Sequence, residues 1–142
     1  MTRAVIDTNV WVAGLLSAAG PPAGVVDAVL IGLVVPVLSP AILAEYEEVL
    51  QRRKLSLPPA DVEAILTYLR LPGEHVIHVD PSEVERVCVD PDDDVFLAAA
   101  VDGKAAFVVT GNLGHFPHSP WRRRQIIEPR GFVELIGQAR DA

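Results

Sequence analysis

Four carboxylates lie within five consecutive positions of the chain: Asp90, Asp92, Asp93 and Asp94. Carboxylates at this spacing repel one another and raise one another's pKa, so their clustering makes physical sense chiefly where a cation neutralises them. Capping of a helix N-terminus is the competing explanation, although a cap needs only one carboxylate. The cluster therefore favours a site for a hard cation such as Mg²⁺ or Mn²⁺, because both prefer oxygen ligands.

Polar triplets follow two apolar segments that predict strands. Asp7-Thr8-Asn9 comes directly after the first segment, and Thr110-Gly111-Asn112 comes after a later one. In an open parallel sheet, sites form beyond the carboxyl ends of the strands, so both triplets are expected at the same edge. Each triplet taken alone fits a turn or a helix cap equally well. Taken together, they favour a functional site at that edge.

Helical geometry singles out two carboxylates. At about 100° per residue, the helix predicted from Pro40 places Glu45 at the border of its apolar stripe rather than on its solvent face. The alternative interpretation of Glu45 is an edge residue that reaches solvent or pairs with an arginine. In the helix predicted over 92–102, Asp93 falls in the middle of the apolar arc, while Asp94 lies near one border.

Asp7, Glu45 and Asp93 are therefore three acids expected near one edge of the sheet. A divalent cation held there keeps several waters, can lower the pKa of one of them and can stabilise charge on a phosphodiester in transit. This chemistry is metal-assisted hydrolysis, with the three acids as catalytic candidates. The further oxygen donors expected for the metal are Asp90, Asp94 and Asn112.

The elements that must position these residues alternate between strands and helices. This alternation predicts an α/β fold, with a mostly parallel sheet covered on both faces. Strands are predicted at 4–6, 33–38, 75–79, 107–110 and 125–127. Helices are predicted over 22–31, 40–53, 59–71, 92–102 and 131–139. Two helix starts are well marked, because Ser39 is a good N-cap before Pro40, and Asp90 precedes a first turn rich in acids.

Composition limits the class of protein. The chain has 142 residues, 50% of them hydrophobic, and a formal net charge of −7, which predicts one soluble domain over 1–142. The negative charge argues against nonspecific binding of nucleic acid, so any such role must be local. The lone Cys88 excludes an intrachain disulfide and favours a reducing, cytoplasmic setting. Neither a signal peptide nor a membrane-spanning segment is predicted from the sequence.

Aromatic and basic residues near the other end of the chain are candidates for RNA binding. Trp121 stands before three arginines, of which Arg122 and Arg123 are the candidates for contact with phosphates. The equally supported alternative is that Trp121 packs on the domain and the arginines balance an acidic surface. His115 and His118 are expected in a loop, because Phe116-Pro117 lies between them.

In order and spacing, four segments of the chain resemble the motifs of the PIN-domain family. They lie at 5–9, 38–45, 90–97 and 109–112. More narrowly, the Asp-Pro-x-Asp-Asp form at 90–94 and the segment 110–117 resemble a prokaryotic group described as toxin components of toxin–antitoxin systems. The resemblance covers the chain from Arg3 to about Leu135.

The resemblance implies a three-layer α/β/α sandwich and a Mg²⁺- or Mn²⁺-dependent endoribonuclease, in which Asp7, Glu45 and Asp93 bind metal and activate water. It also implies a small antitoxin protein as partner, and a homodimer. Asn112 stands where many members of the family have a fourth acid. Asparagine brings no charge, so the resemblance implies either a weaker metal site or the use of Asp90 or Asp94 as a substitute ligand. The candidates for substrate binding are Thr8, Asn9, Thr110, Arg122 and Arg123.

Two other functions are consistent with the same residues. A PIN-like binding module that has lost catalysis would account for Asn112. An aspartate-based phosphotransferase would use Asp7 as its nucleophile. Enzymes of that design usually need a second carboxylate two residues later, where this chain has Asn9, so the phosphotransferase is disfavoured.

Overall fold

Within residues 1–141, a five-stranded parallel sheet forms the centre of the protein. The computed structural model describes the backbone of these residues and the side chains of residues 1–137. The strands are β1 (Thr2–Ile6), β2 (Val34–Leu38), β3 (Ile77–His78), β4 (Phe107–Val109) and β5 (Gln125–Ile127). The helices are α1 (Thr8–Leu16), α2 (Pro21–Leu30), α3 (Pro40–Leu50), α4 (Pro59–Arg70), α5 (Asp94–Asp102) and α6 (Pro129–Asp141). Short 3-10 turns lie at Arg53–Leu55, Pro91–Asp93 and Leu113–His115.

The strands lie in the order β3-β2-β1-β4-β5, and every neighbouring pair is parallel. The predicted α/β/α sandwich is thus confirmed. The chain passes from the central strand β1 to β2 on one side, while β4 later pairs with β1 on the other side. The order in which the strands are added thus reverses at β1. The carboxyl ends of β1 and β4 adjoin at this point, which is where open α/β sheets form ligand sites.

Apolar residues fill the strands because helices cover both faces of the sheet. Every residue of β2 is buried, as are the last three residues of β1. Helix α5 packs over β1, β2 and β4, whereas α2 packs against β2, α1 and α6. Continuous apolar runs, rather than alternating ones, are typical of parallel strands that are buried in this way.

The element that the sequence did not predict is α1. Residues 8–16 are mostly apolar and include two β-branched valines, so they carry no amphipathic stripe that would mark a helix. The helix packs against α2 and α3, and this packing overrides the weak local preference. It begins directly at Thr8, so Asp7 is its N-cap residue.

Strand β3 has two residues, fewer than the five predicted at 75–79. Its neighbour β2 contains Pro36, which has no N–H to donate to a sheet. The pairing of β3 with β2 accordingly begins only at Val37 and ends at Leu38.

The predicted start of α3 is present. Ser39 Oγ accepts a hydrogen bond from the N–H of Ile42 at 3.3 Å, and Pro40 occupies the first helical position. The helix ends at Leu50, three residues before the predicted end, because residues 53–55 form a separate 3-10 turn. Helix α6 begins at Pro129, two residues earlier than predicted.

The helices are short. No helix within residues 1–141 is by itself long and apolar enough to cross a lipid bilayer. Helices α1 and α2 reach that length only as a pair, and they are bent by 102° relative to each other.

A buried tyrosine fastens α3 to the end of β1. Tyr46 is 1% exposed, and its hydroxyl donates a hydrogen bond to the carbonyl oxygen of Ile6, the last residue of β1. The ring of Trp11, from α1, packs edge-on against Tyr46 with ring centroids 5.9 Å apart. Glu45, next to Tyr46, and Asp7, next to Ile6, are therefore held at a fixed separation.

Replacing Tyr46 with phenylalanine is expected to lower the free energy of unfolding by about 1–2 kcal/mol, because the buried carbonyl of Ile6 loses this donor. Urea denaturation measures the change. Tyr68→Phe is the matched control, since its hydroxyl also donates to a carbonyl, that of Val29 at 3.1 Å, but from a half-buried position. The control is expected to lose less stability, and an unchanged Tyr46→Phe protein would contradict the assigned role.

Candidate active site

Asp7 lies at the carboxyl end of β1 and is only 7% exposed. Its Oδ2 accepts hydrogen bonds from the hydroxyl of Thr110 at 2.8 Å and from the side-chain amide of Asn9 at 3.2 Å. Burial raises the pKa of the Asp7 carboxyl, and these donors oppose the effect only in part. The carboxylate is thus held in place by neutral side chains, while burial disfavours its charged form.

Two further hydrogen bonds join the polar triplets. Thr110 Oγ1 accepts from the N–H of Asn112 at 3.0 Å, and Asn9 Oδ1 accepts from the N–H of Gly111 at 3.1 Å. The structure therefore brings both triplets to one edge of the sheet. Within it, Asn9 and Thr110 hold the site together, while the side chain of Asn112 is exposed.

Glu45 is half-buried on α3, and its Oε2 accepts a hydrogen bond from the hydroxyl of Thr8. Burial raises the pKa of the Glu45 carboxyl, and the negative charges of Asp7 and Asp92 raise it further. A carboxylate whose pKa is raised is a stronger base than a carboxylate with the ordinary pKa. Glu45 is therefore suited to accept a proton.

Asp93 ends the 3-10 turn before α5, with a side chain that is 18% exposed. Its Oδ2 lies 3.6 Å from Nδ1 of His115. Burial raises the pKa of Asp93 to about 6, and the charges of Asp7 and Asp90 act in the same direction. Asp7 influences both Glu45 and Asp93, so the three acids lie within electrostatic reach of one another.

Asp94 has a different environment from its neighbour. It is 1% exposed, and its Oδ1 accepts hydrogen bonds from the N–H groups of Val87 at 3.0 Å and Cys88 at 2.7 Å. Its Oδ2 lies 3.5 Å from Nε of Arg86. Burial alone would raise the pKa of Asp94, but the two backbone donors and Arg86 together hold it below its ordinary value.

Asp94 thus anchors the loop that precedes α5, whereas its position in the acidic cluster predicted a metal ligand. The difference arises because the α-helix starts at Asp94 rather than at residue 92, which makes Asp94 the most buried acid of the cluster. Asp90 is exposed, and it accepts the N–H of Asp92 at 2.9 Å, which caps the 3-10 turn.

Arg122 and Arg123 do not join the acids. Arg122 pairs with Glu85, and its guanidinium lies over the ring of Trp121, 4.8 Å from the ring centroid. Among the side chains of residues 1–137, neither arginine forms a hydrogen bond or ion pair with any of the three acids.

The donor set fits a hydrated divalent cation. In the described part of the chain, no three His, Cys, Asp or Glu side chains are close enough to hold one ion directly. Mg²⁺, however, keeps several waters and is usually bound through one or two carboxylates. Asp7 and Asp93 could supply these, and a cation would offset both the burial and the neighbouring negative charges that raise the pKa of Asp93.

Two residues near the acids were not predicted as members of the site. His115 lies in a loop, as expected, but its ring faces Asp93, and its positive form lowers the pKa of Asp7 and Asp93. Asp92 is exposed, and its negative charge raises the pKa of Glu45. The approach of His115 to the site could have been inferred from its loop, which begins at Thr110 and therefore starts at the same edge of the sheet.

Comparison with known proteins identifies a family that matches most of the chain. The family described as PIN domain matches residues 3–114. The chain is 30% identical over 110 residues to an uncharacterized protein of Methanocaldococcus jannaschii, across 78% of this chain and 70% of that protein.

Near neutral pH and without metal, Asp93→Asn is expected to stabilise the folded protein, whereas Asp94→Asn is expected to destabilise it. The pKa of Asp93, about 6, lies above its ordinary 3.8, so its charge destabilises the folded state once the pH exceeds both values. Asp93→Asn should therefore raise Tm, and the gain should vanish below about pH 4. The pKa of Asp94 is lowered, so Asp94→Asn should cost about 1–3 kcal/mol through weaker hydrogen bonds to the loop.

Thermal unfolding in a chelator, repeated from about pH 4 to about pH 8, measures both effects. Asp80→Asn serves as the control, because Asp80 is an exposed acid outside the site. A loss of stability in Asp93→Asn at neutral pH would refute the unbalanced charge assigned to the site.

Proposed function

The chain belongs to the PIN-domain family, and on that basis we propose that it is a Mg²⁺- or Mn²⁺-dependent endoribonuclease. PIN domains are generally nucleases and typically use divalent metals. The observation that carries the proposal is the grouping of Asp7, Glu45 and Asp93 at one edge of the sheet, all with raised pKa values. Acids in this state are suited to holding a cation and to accepting a proton.

In the proposed reaction, Asp7 and Asp93 would hold the metal. When bound, a divalent cation supplies a water of lowered pKa and offsets charge on the phosphate under attack. Glu45 accepts a proton from the attacking water at Oε1, because its Oε2 already accepts the Thr8 hydroxyl. As the oxygen of this water bonds to phosphorus, the bond from phosphorus to the leaving RNA oxygen breaks, and that oxygen takes up a proton from solvent. Thr8 thereby orients the base, and Thr110 with Asn9 keeps Asp7 from turning away from the metal.

We extend the proposal to a toxin that is held inactive by a small antitoxin protein and acts in the cytoplasm as a homodimer. Its support is the resemblance of segments 90–94 and 110–117 to the prokaryotic group of toxin components. If this extension is right, expression of the chain alone should arrest growth of a bacterial host, and Asp7→Asn should abolish the arrest.

A binding module without catalysis is the second candidate. It is favoured by Asn112, whose exposed side chain brings no charge, and by the lack of three metal-ligating side chains in direct reach of one ion among the described residues. Such a module would bind RNA or a partner without metal-dependent cleavage.

Asp7→Asn, Glu45→Gln and Asp93→Asn are each expected to reduce cleavage of a mixed RNA pool by about 100-fold or more, since metal and base act together. Glu74→Gln, an exposed acid outside the site, is the matched control and should cleave normally. Cleavage is measured by gel electrophoresis with Mg²⁺ or Mn²⁺ added.

Calorimetric titration with Mn²⁺ separates the roles of the three acids. Asp7→Asn and Asp93→Asn should lose metal binding, whereas Glu45→Gln should keep most of it while losing cleavage. Binding of RNA without cleavage by the unsubstituted protein would support the binding module instead. Full activity in Asp93→Asn would overturn the assignment of the site.

A further inference from the structure

A cleft of about 420 Å³ lies at the end of α3, between the 3-10 turn Arg53–Leu55 and the start of α4. Leu50, Leu57 and Val62 form its apolar walls, and Arg52 and Arg53 lie at its rim. Neither the acids of the proposed active site nor their hydrogen-bond partners line it. The cleft is therefore a separate feature with apolar walls and a basic rim.

The two arginines at the rim differ in their hydrogen bonds and ion pairs. Arg52 donates two hydrogen bonds to Glu48 on the surface, at 3.0 and 2.6 Å. Arg53 forms no side-chain hydrogen bond or ion pair among residues 1–137. Glu63 also lines the cleft, and it lies 3.9 Å from Arg70, which is closer to Glu47 at 3.1 Å.

The cleft adjoins the proposed active site along α3. Glu45 and Leu50, which lines the cleft, are five residues apart on α3, which corresponds to roughly 7 Å along the helix axis. The positive charge of Arg52 also lowers the pKa of Glu45. A short stretch of extended nucleic acid that lies at Glu45 would therefore reach the cleft.

We propose that this cleft binds an unpaired nucleotide of the RNA strand that is cut at Asp7 and Asp93, with its base against the apolar walls and its phosphate on Arg52 and Arg53. The inference rests on the proposed function. Unpaired bases stack on aromatic rings and guanidinium planes, and extruded bases also pack between apolar side chains. Guanidinium groups match the geometry of phosphate oxygens.

Charge distinguishes this cleft from a larger one of about 690 Å³ beside α5. The larger cleft contains Trp121, but Glu83, Glu85 and Asp102 also line it. Its arginine Arg122 is paired with Glu85, as Arg52 is with Glu48. Within residues 1–137, however, no second arginine comparable to Arg53 lines the larger cleft. A strand of phosphates would be repelled there, so the aromatic and arginine pair that the sequence suggested for RNA is the poorer candidate.

The test compares two double variants that remove the same charge. Arg52→Gln with Arg53→Gln removes the rim of the cleft, and Arg122→Gln with Arg123→Gln is the control. In each pair one arginine is bound to a surface glutamate and the other is exposed. Both are placed in the Asp7→Asn background, and their Kd values for a short, unstructured RNA of mixed sequence are measured over a range of salt concentrations.

The cleft variant is expected to bind the RNA about tenfold more weakly, and its plot of log Kd against log salt should flatten by about 0.7 for each phosphate that an arginine no longer neutralises. The control should stay within about twofold of the parent. Inorganic polyphosphate, which lacks bases, should compete poorly for the cleft. With Asp7 restored, the cleft variant should show a raised KM and an almost unchanged kcat.

Equal losses of affinity in the two double variants, or none in either, would overturn the inference. So would a change of oligomeric state in the cleft variant at unaltered RNA affinity, since a protein surface would then occupy the cleft. Metal-dependent cleavage by the unsubstituted protein with normal KM in the cleft variant would reject the inference alone. Absence of both RNA binding and cleavage in the unsubstituted protein would reject the proposed function as well.

Discussion

Asp7, Glu45 and Asp93 are withdrawn from water to different degrees, yet the charge of Asp7 acts on each of the other two. Their repulsion is unfavourable for folding, and the rest of the protein must hold them together against it. The free energy for this comes from the apolar core, in which β1 and β2 are covered by helices. The site is therefore tolerated by the fold rather than stabilising it.

Neutral groups hold the acids in place. Thr110 and Asn9 donate to Asp7, and Thr8 donates to Glu45, so orientation is fixed without an arginine or lysine among these partners. Asp94 shows the contrast, because two backbone N–H groups and Arg86 satisfy it. The two adjacent aspartates thus differ in role. Asp94 fixes a loop, whereas the charge of Asp93 stays available to a ligand.

Much of the fold could be predicted from the sequence because parallel strands that are buried on both faces leave continuous apolar runs. The strand predicted at 125–127 has the bounds that β5 has in the structure, and Ser39 caps α3 as expected. Helix α1 could not be predicted, since its stability comes from packing against α2 and α3 rather than from a local pattern.

Within the candidate site, the sheet edge and the border position of Glu45 followed from helix and strand geometry. The division of labour between Asp93 and Asp94 did not follow, because it depends on a 3-10 turn that shifts the start of α5. The approach of His115 to Asp93 depends on how the loop after β4 folds back. Spacing along the chain carries no information on such contacts.

The two outermost strands of the sheet are very short, with two residues in β3 and three in β5. An exposed strand edge is a template on which another chain can add hydrogen bonds, and this is a common route to fibrous aggregation. Here the edges are too brief to support such growth, and Pro36 interrupts the hydrogen-bond donors of β2 beside β3. Short edges of this kind disfavour extension of the sheet from one copy of the chain to the next.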